Sequence, residues 1–221
     1  MISRLRSGVD RQQSVLSVYG NATSMQVTVT SERAGAMTTT APDVVQLKLE
    51  RAFDTMDANN DGYVDWSDYQ QLVDRYISVF KLGKNDLRAG GIQAFYQMYW
   101  QELIRHARPN GQQQRLSKEQ FVEANRLASM DTSRLNMVEG CGHAIFDCMD
   151  VNGDNEISKE EFENFLRKVW KVSQPDAIET FHRLDVDGDG SISRREFIRA
   201  AHEYFYSNDP NAAGSLLFGH V

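Results

Sequence analysis

The chain has 221 residues, of which 41% are hydrophobic and 10% aromatic, and a formal net charge of −7. That length allows one large or two small domains with a real core, and the acidic balance argues against nucleic acid as a partner. No apolar run approaches the ~20 residues that span a membrane, so membrane insertion is not expected.

Residues 1–42 hold four arginines, no lysine and many Ser, Thr and Val residues without helical periodicity. They lack the continuous apolar stretch of a secretory signal and are expected to form a disordered extension. Translation starts either at Met1 or at Met37, whose MTTTAPD opens onto the first helix. Asn21-Ala22-Thr23 fits a glycosylation sequon, a match of little meaning without a secretory signal.

From residue 43 the pattern becomes helical. Val45, Leu49, Ala52, Phe53 and Met56 predict a helix that leads into DANNDGYVDWSD, residues 57–68. Ca²⁺ takes six to eight oxygens, and a twelve-residue loop supplies them from positions 1, 3, 5, 7, 9 and 12 if position 6 bends sharply. Asp57, Asn59, Asp61, the carbonyl of Tyr63, and Asp65 fill the first five places, Gly62 stands at the bend and Asp68 closes the run. Aspartate is one methylene shorter than glutamate, so this loop should lose Ca²⁺ affinity and tolerate Mg²⁺ better.

Ile92, Phe95, Tyr96, Tyr99, Trp100, Leu103 and Ile104 form a broad helical stripe, read as core rather than as the lining of a ligand cavity. It precedes PNGQQQRLSKEQ, residues 109–120. Leu116 and Phe121 repeat the spacing of Val64 and Tyr69, but Pro109, Gln113 and Gln120 occupy positions 1, 5 and 12. With no carboxylate in a main ligand position, this loop is silent.

Ile145, Phe146 and Met149 lead into DVNGDNEISKEE, residues 150–161. Its ligand set is Asp150, Asn152, Asp154, the carbonyl of Glu156, Ser158 and Glu161. Asn155 replaces glycine at the bend, a place that needs φ > 0 and that asparagine adopts better than most residues. Phe162, Phe165, Leu166 and Val169 lead out, and Phe181 and Leu184 lead into DVDGDGSISRRE, residues 185–196. Asp185, Asp187, Asp189, Gly190, the carbonyl of Ser191, Ser193 and Glu196 show no departure from the pattern. Ile157 and Ile192, at position 8, are predicted to pair the two loops across a short β-bridge. After the helix of Phe197, Ile198, Ala201 and Phe205, the tail carries Leu216, Leu217 and Phe218, three adjacent apolar residues expected to fold back onto the core.

The other reactive residues read as structural. Cys141 and Cys148 lie seven apart on a predicted helix, ~10 Å along its axis, too far for a disulfide, which suits a cytoplasmic protein with reduced thiols. His202-Glu203 lacks the second histidine of a zinc-protease helix, since Tyr206 stands in its place. No phosphate-cradling loop or nucleophile elbow is present, so an enzyme is not expected.

The loops identify the chain as an EF-hand protein. The active, silent, active, active order, the MTTT ahead of the first helix and the ending FYSNDPNAAGSLLFG resemble the sarcoplasmic calcium-binding protein family, most closely its bacterial calerythrin-type members, over residues 38–221. The resemblance implies an all-α fold in which four EF-hands, one degenerate, form two pairs in a compact globule around a shared apolar interior. The expected divisions are the extension 1–42, a first pair at 43–130, a second at 131–206 and a docking tail at 207–221. The implied function is a monomeric cytoplasmic calcium buffer binding three Ca²⁺, with Mg²⁺ possible at the 57–68 loop. One alternative is a calmodulin-like sensor that opens a groove for a target protein, although the eight methionines are scattered. Another is a calcium-controlled carrier of an apolar small ligand, as in coelenterazine-binding proteins and photoproteins. Photoproteins typically end in proline, and this chain ends in Val221.

Overall fold

The computed structural model describes residues 43–107, 114–132 and 136–219. The extension 1–42 with Met37 and the sequon, Pro109 and Gln113 of the 109–120 loop, and Val221 lie outside the described residues.

Among the described residues, eight α-helices and four three-residue strands follow in chain order: α1 (Val44–Met56), β1 (Tyr63–Asp65), α2 (Trp66–Val79), α3 (Leu87–Ala107), β2 (Arg115–Ser117), α4 (Lys118–Met130), α5 (Met137–Met149), β3 (Glu156–Ser158), α6 (Lys159–Asn164), α7 (Gln174–Leu184), β4 (Ser191–Ser193) and α8 (Arg194–Tyr206). The strands form two antiparallel pairs. Val64 lies opposite Leu116 in the first and Ile157 opposite Ile192 in the second, and all four side chains are fully buried. The apolar residue at position 8 thus ties hand 1 to hand 2 and hand 3 to hand 4.

Loop residues also end and begin the helices. The N–H groups of Asp57, Asp150 and Asp185 bond the carbonyls of Phe53, Phe146 and Phe181 and close α1, α5 and α7. At the other end, the residue at position 9 is an N-cap and that at position 12 is the third helical residue. Asp65 with Asp68, Ser117 with Gln120, Ser158 with Glu161 and Ser193 with Glu196 each complete a capping box, satisfying backbone donors that a helix start leaves unpaired. In the second hand Gln120 fills this helix-starting role without a charge.

Phenylalanines repeat with the hands and pack across each pair. Phe53 meets Phe121 edge-on at 5.6 Å, Phe146 meets Phe197 at 6.1 Å, and Phe181 meets Phe162 at 6.0 Å. The two pairs then share one interior. Tyr69, Tyr96, Tyr99 and Trp100 of the first and Phe162, Phe165, Trp170 and Phe197 of the second belong to a single buried cluster, so the aromatic stripe of α3 is core. Its hydroxyls are satisfied inside: Tyr99 donates to Asn125 Oδ1, Tyr76 and Tyr96 oxygens lie 3.4 Å apart, and Trp170 Nε1 donates to Tyr76 at 3.3 Å.

Hand 3 departs from a regular helix. After α6 the chain widens into a π-helical turn at Phe165–Val169, whose Phe165, Leu166 and Val169 are fully buried. Arg75 of α2 donates to the Val169 carbonyl at 3.0 Å and takes up an acceptor that the turn leaves over.

The tail runs along α8 as a 3₁₀ turn (Ala213–Leu216). Leu216, Leu217 and Phe218 are buried, and the Phe218 ring lies 4.2 Å from that of Trp170 and 4.8 Å from that of Tyr204. Gly214 permits this approach, because a Cβ there would stand 2.1 Å from the Ala200 carbonyl oxygen. Lys48 of α1 is 1% exposed and secures the same corner. Its ammonium donates to the carbonyls of Glu203 and Ser207 at 2.9 and 2.8 Å, at the C-terminal end of α8, where the helix dipole favours a cation. No helix among the described residues is long and apolar enough to cross a membrane.

Candidate metal centres

The three loops with carboxylate sets share one internal scaffold. In the 57–68 loop, Asp57 accepts from the N–H groups of Asp61 and Gly62, Asn59 from that of Asp61 and Asp61 from that of Tyr63. In the 150–161 loop, Asp150 accepts from Gly153 and Asn155, Asn152 from Asp154 and Asp154 from Glu156. In the 185–196 loop, Asp185 accepts from Gly190, Asp187 from Asp189 and Asp189 from Ser191. These bonds wrap the backbone around the side chains, and among the described residues the 185–196 loop is the one of the three that brings three carboxylates together. In the last loop, one oxygen each of Asp185, Asp187 and Asp189 lies within 4.8 Å of the others.

The bend at position 6 is left-handed in all three loops, with φ of 81° at Gly62, 64° at Asn155 and 92° at Gly190. A second left-handed residue, absent from the reading of the sequence, stands at position 4: Asn60 at 56°, Gly153 at 75° and Gly188 at 73°. The signal was present as an asparagine or glycine in each of those places. The first loop sets Asn before Gly, the third Gly before Asn, and the fourth Gly twice, because only such residues accept φ > 0 cheaply.

Position 12 separates the loops. Glu161 accepts from the N–H of Val151 and the N–H and hydroxyl of Ser158, and Glu196 likewise from Val186 and Ser193. Each glutamate therefore spans its loop from position 9 back to position 2. Asp68 is too short for that span. It accepts only the Asp65 N–H, at 2.9 Å, while its Oδ1 is buried without a partner. Its pKa is raised, chiefly by burial and then by the nearby charges of Asp65, Asp57 and Asp61, against the opposing Asp65 N–H bond. Burial pushes Glu196 up as well, but the Ser193 hydroxyl and the N–H groups of Ser193, Val186 and Asp187 outweigh it and hold Glu196 below the usual range.

The donor set fits a hard dication. Among the described residues three buried side-chain nitrogen or oxygen atoms lack a hydrogen-bond partner, and two of these are Asp68 Oδ1 and Asp185 Oδ1. Stranding a buried carboxylate oxygen costs about 1–3 kcal/mol or more, and both atoms sit where a cation would use them. Tyr63, Glu156 and Ser191 would contribute backbone carbonyls, and Ser158 and Ser193 stand at position 9. Two arginines outside the ligand set buttress the loops. Arg88, at the start of α3 and paired with Asp86, donates to the Asp150 carbonyl at 2.8 Å, and Arg194 donates to Asn155 at 2.8 Å. Neither was legible in the sequence, because each partner lies tens of residues away. The thiols of Cys141 and Cys148 are buried and free, and burial pushes both up to about 12.

The comparisons agree with this geometry. An EF-hand domain pair model matches residues 142–202 and an EF hand model matches residues 49–73. Sarcoplasmic calcium-binding proteins I, III and IV of Branchiostoma lanceolatum are 27% identical over 129 residues, covering 57% of this chain and 70% of theirs. The solved structure of a sarcoplasmic calcium-binding protein from amphioxus shares the fold, with a TM-score of 0.63 at 21% identity, over 82% of this chain and 100% of that one. A calcium-binding protein from Streptomyces coelicolor superimposes with a TM-score of 0.57 at 25% identity, over 73% of this chain and 97% of its own. With these loops, this fold and these relatives, the chain is a calcium-binding EF-hand protein homologous to the sarcoplasmic calcium-binding proteins.

Proposed function

We propose that the loops 57–68, 150–161 and 185–196 each bind one Ca²⁺, that the 109–120 loop binds none, and that the protein is a monomeric cytoplasmic calcium buffer. Asp57, Asn59, Asp61, Asp65 and Asp68 serve the first site, with the Tyr63 carbonyl. Asp150, Asn152, Asp154, Ser158 and Glu161 serve the second, and Asp185, Asp187, Asp189, Ser193 and Glu196 the third. Mg²⁺ competes best at the first, where Asp68 closes the loop with a shorter reach. The working units are the hand pairs 43–130 and 131–206 with the tail 207–221, and no catalytic role is assigned. The 25% identity to the Streptomyces coelicolor protein supports a bacterial, calerythrin-type relationship.

The observation that carries the buffer reading is the closed interior. A sensor converts calcium binding into exposed apolar surface, whereas a buffer hardly opens. Here Phe218 sits against Trp170 and Tyr204, and Leu217 is 1% exposed, so the tail closes over the apolar interior. The test is fluorescence of a hydrophobic dye during calcium titration of the full chain. Dye binding is expected to stay flat while calcium binds, and a rise would replace the buffer with a sensor. That second reading has one observation in its favour, since the Streptomyces coelicolor protein is described as acting in prokaryotic calcium-mediated regulation. An apolar-ligand carrier ranks last. The interior cavity beside Tyr69, Tyr99 and Phe218 has about 40 Å³, against roughly 300–1,000 Å³ for small-molecule pockets.

A further inference from the structure

Arg194 is the tenth residue of its loop and the first of α8. Its Nη1 pairs with Asp147 at 2.7 Å, its guanidinium lies 4.2 Å from the centre of the Phe146 ring, and its Nε donates to Asn155 Oδ1 at 2.8 Å. The first two contacts have counterparts in the other pair of hands. Lys118, tenth in the silent loop, pairs with Asp54 at 2.5 Å and lies 5.5 Å from the Phe53 ring. Asp54 and Phe53 precede their loop by the same three and four residues as Asp147 and Phe146 precede theirs.

The third contact has no counterpart. Gly62 occupies the bend of the 57–68 loop and offers no side chain, and a lysine ammonium lacks the forked donors that let Arg194 bond in two directions. Among the three loops with carboxylate sets, the extra bond therefore belongs to the one residue that departs from glycine at the bend. Asn155 also donates its N–H to Asp150, the first ligand of its own loop, at 3.0 Å. Arg194 stands two residues before Glu196, the last ligand of the neighbouring loop. A continuous chain of bonded groups thus runs from Asp150 through Asn155 and Arg194 to the helix start that carries Glu196.

We propose that Asn155 and Arg194 form a coupling link through which calcium in either C-terminal loop raises the affinity of the other. An ion held by Asp150 fixes the Asn155 peptide and so aims its side-chain oxygen at Arg194. Arg194, held in turn, steadies the first turn of α8 and the placement of Glu196. The effect is reciprocal, as any coupling free energy between two binding sites must be. Both residues are positioning residues and donate nothing to the ions. The inference rests on both loops binding calcium.

The test is calcium calorimetry on the full chain for the wild type, Asn155→Gly, Arg194→Lys and the double variant, reading the ratio of successive association constants of the two C-terminal sites. Asn155→Gly keeps the left-handed bend, and Arg194→Lys keeps the charge and a pair of the Lys118–Asp54 kind. Each single variant is expected to lower the ratio by about threefold to tenfold, within the usual range of coupling between sites, and the double variant no further than either single. Thermal melts of the calcium-free proteins run alongside, since a merely structural bond would lower the melting temperature and leave the ratio unchanged. An unchanged ratio, or losses that add in the double variant, overturns the link. Fewer than two C-terminal ions in the wild type overturns the link and the three-site reading together, whereas two ions with an unchanged ratio overturns the link alone.

Discussion

Single atoms set the differences among the three loops. Asp68 lacks the methylene that lets Glu161 and Glu196 reach the N–H at position 2, and its Oδ1 is left buried and unpartnered. Asp68→Glu is therefore expected to raise calcium affinity at the 57–68 loop and the preference for Ca²⁺ over Mg²⁺, read by calorimetry with and without Mg²⁺. An unchanged preference would mean that position 12 does not set selectivity there. Asn155 holds φ at 64°, where a β-branched side chain costs about 1–3 kcal/mol. Asn155→Val should then weaken the 150–161 loop by about five- to 150-fold. Calorimetry showing equal affinity would contradict the strain account. The left-handed bend at Asn155 and the short reach of Asp68 were legible in the sequence, because loop position alone decides what each residue can offer. The left-handed residues at position 4 were equally visible as Asn60, Gly153 and Gly188, but a ligand-first reading passes over a residue whose contribution is only its backbone.

At the scale of elements, helix ends and loop ends coincide, so α1, α5 and α7 stop at Asp57, Asp150 and Asp185, where the loops begin. The hand pairing was legible for a related reason, since Val64, Leu116, Ile157 and Ile192 recur at fixed positions. The corner formed by α1, α8 and the tail was legible only in part. Leu216, Leu217 and Phe218 announced a buried tail, whereas Lys48, which no sequence pattern singles out, is buried against carbonyls 155 and 159 residues away. Burial holds its pKa down to about 8, against the attraction of Glu203 and Asp43. In the unfolded chain a lysine titrates near 10.4, so between about pH 8 and 10 the unfolded state binds the extra proton and stability rises with pH. Above about pH 10 the buried tyrosines, whose pKa values are raised by burial, reverse the slope. Denaturant melts of wild type and Lys48→Met across pH 8–10 should show the rise in the wild type alone, and equal slopes would remove Lys48 as its source. Phe218→Ala should cost about 3–5 kcal/mol, as for a buried aromatic truncated in a core. A loss below about 1 kcal/mol in the same melts would mean that the tail does not close the interior.

For the whole molecule, four hands share one apolar interior, and the loops 57–68, 150–161 and 185–196 repeat one pattern of side-chain to backbone hydrogen bonds. Ions that bind the folded loops and not the unfolded chain stabilise the fold by mass action, so calcium should raise the melting temperature without exposing apolar surface. The layout of two hand pairs was legible, because each loop announces the helices on either side of it. The way the pairs meet was not, since it depends on contacts such as Arg75 with the Val169 carbonyl and Trp170 with Tyr76, for which neither composition nor periodicity gives a sign. The central claim is that calcium occupies the loops 57–68, 150–161 and 185–196 and that the 109–120 loop stays empty. Native mass spectrometry of the full chain at saturating calcium tests it most directly. Three specifically bound ions are expected, and saturation at two or at four would contradict three-site binding.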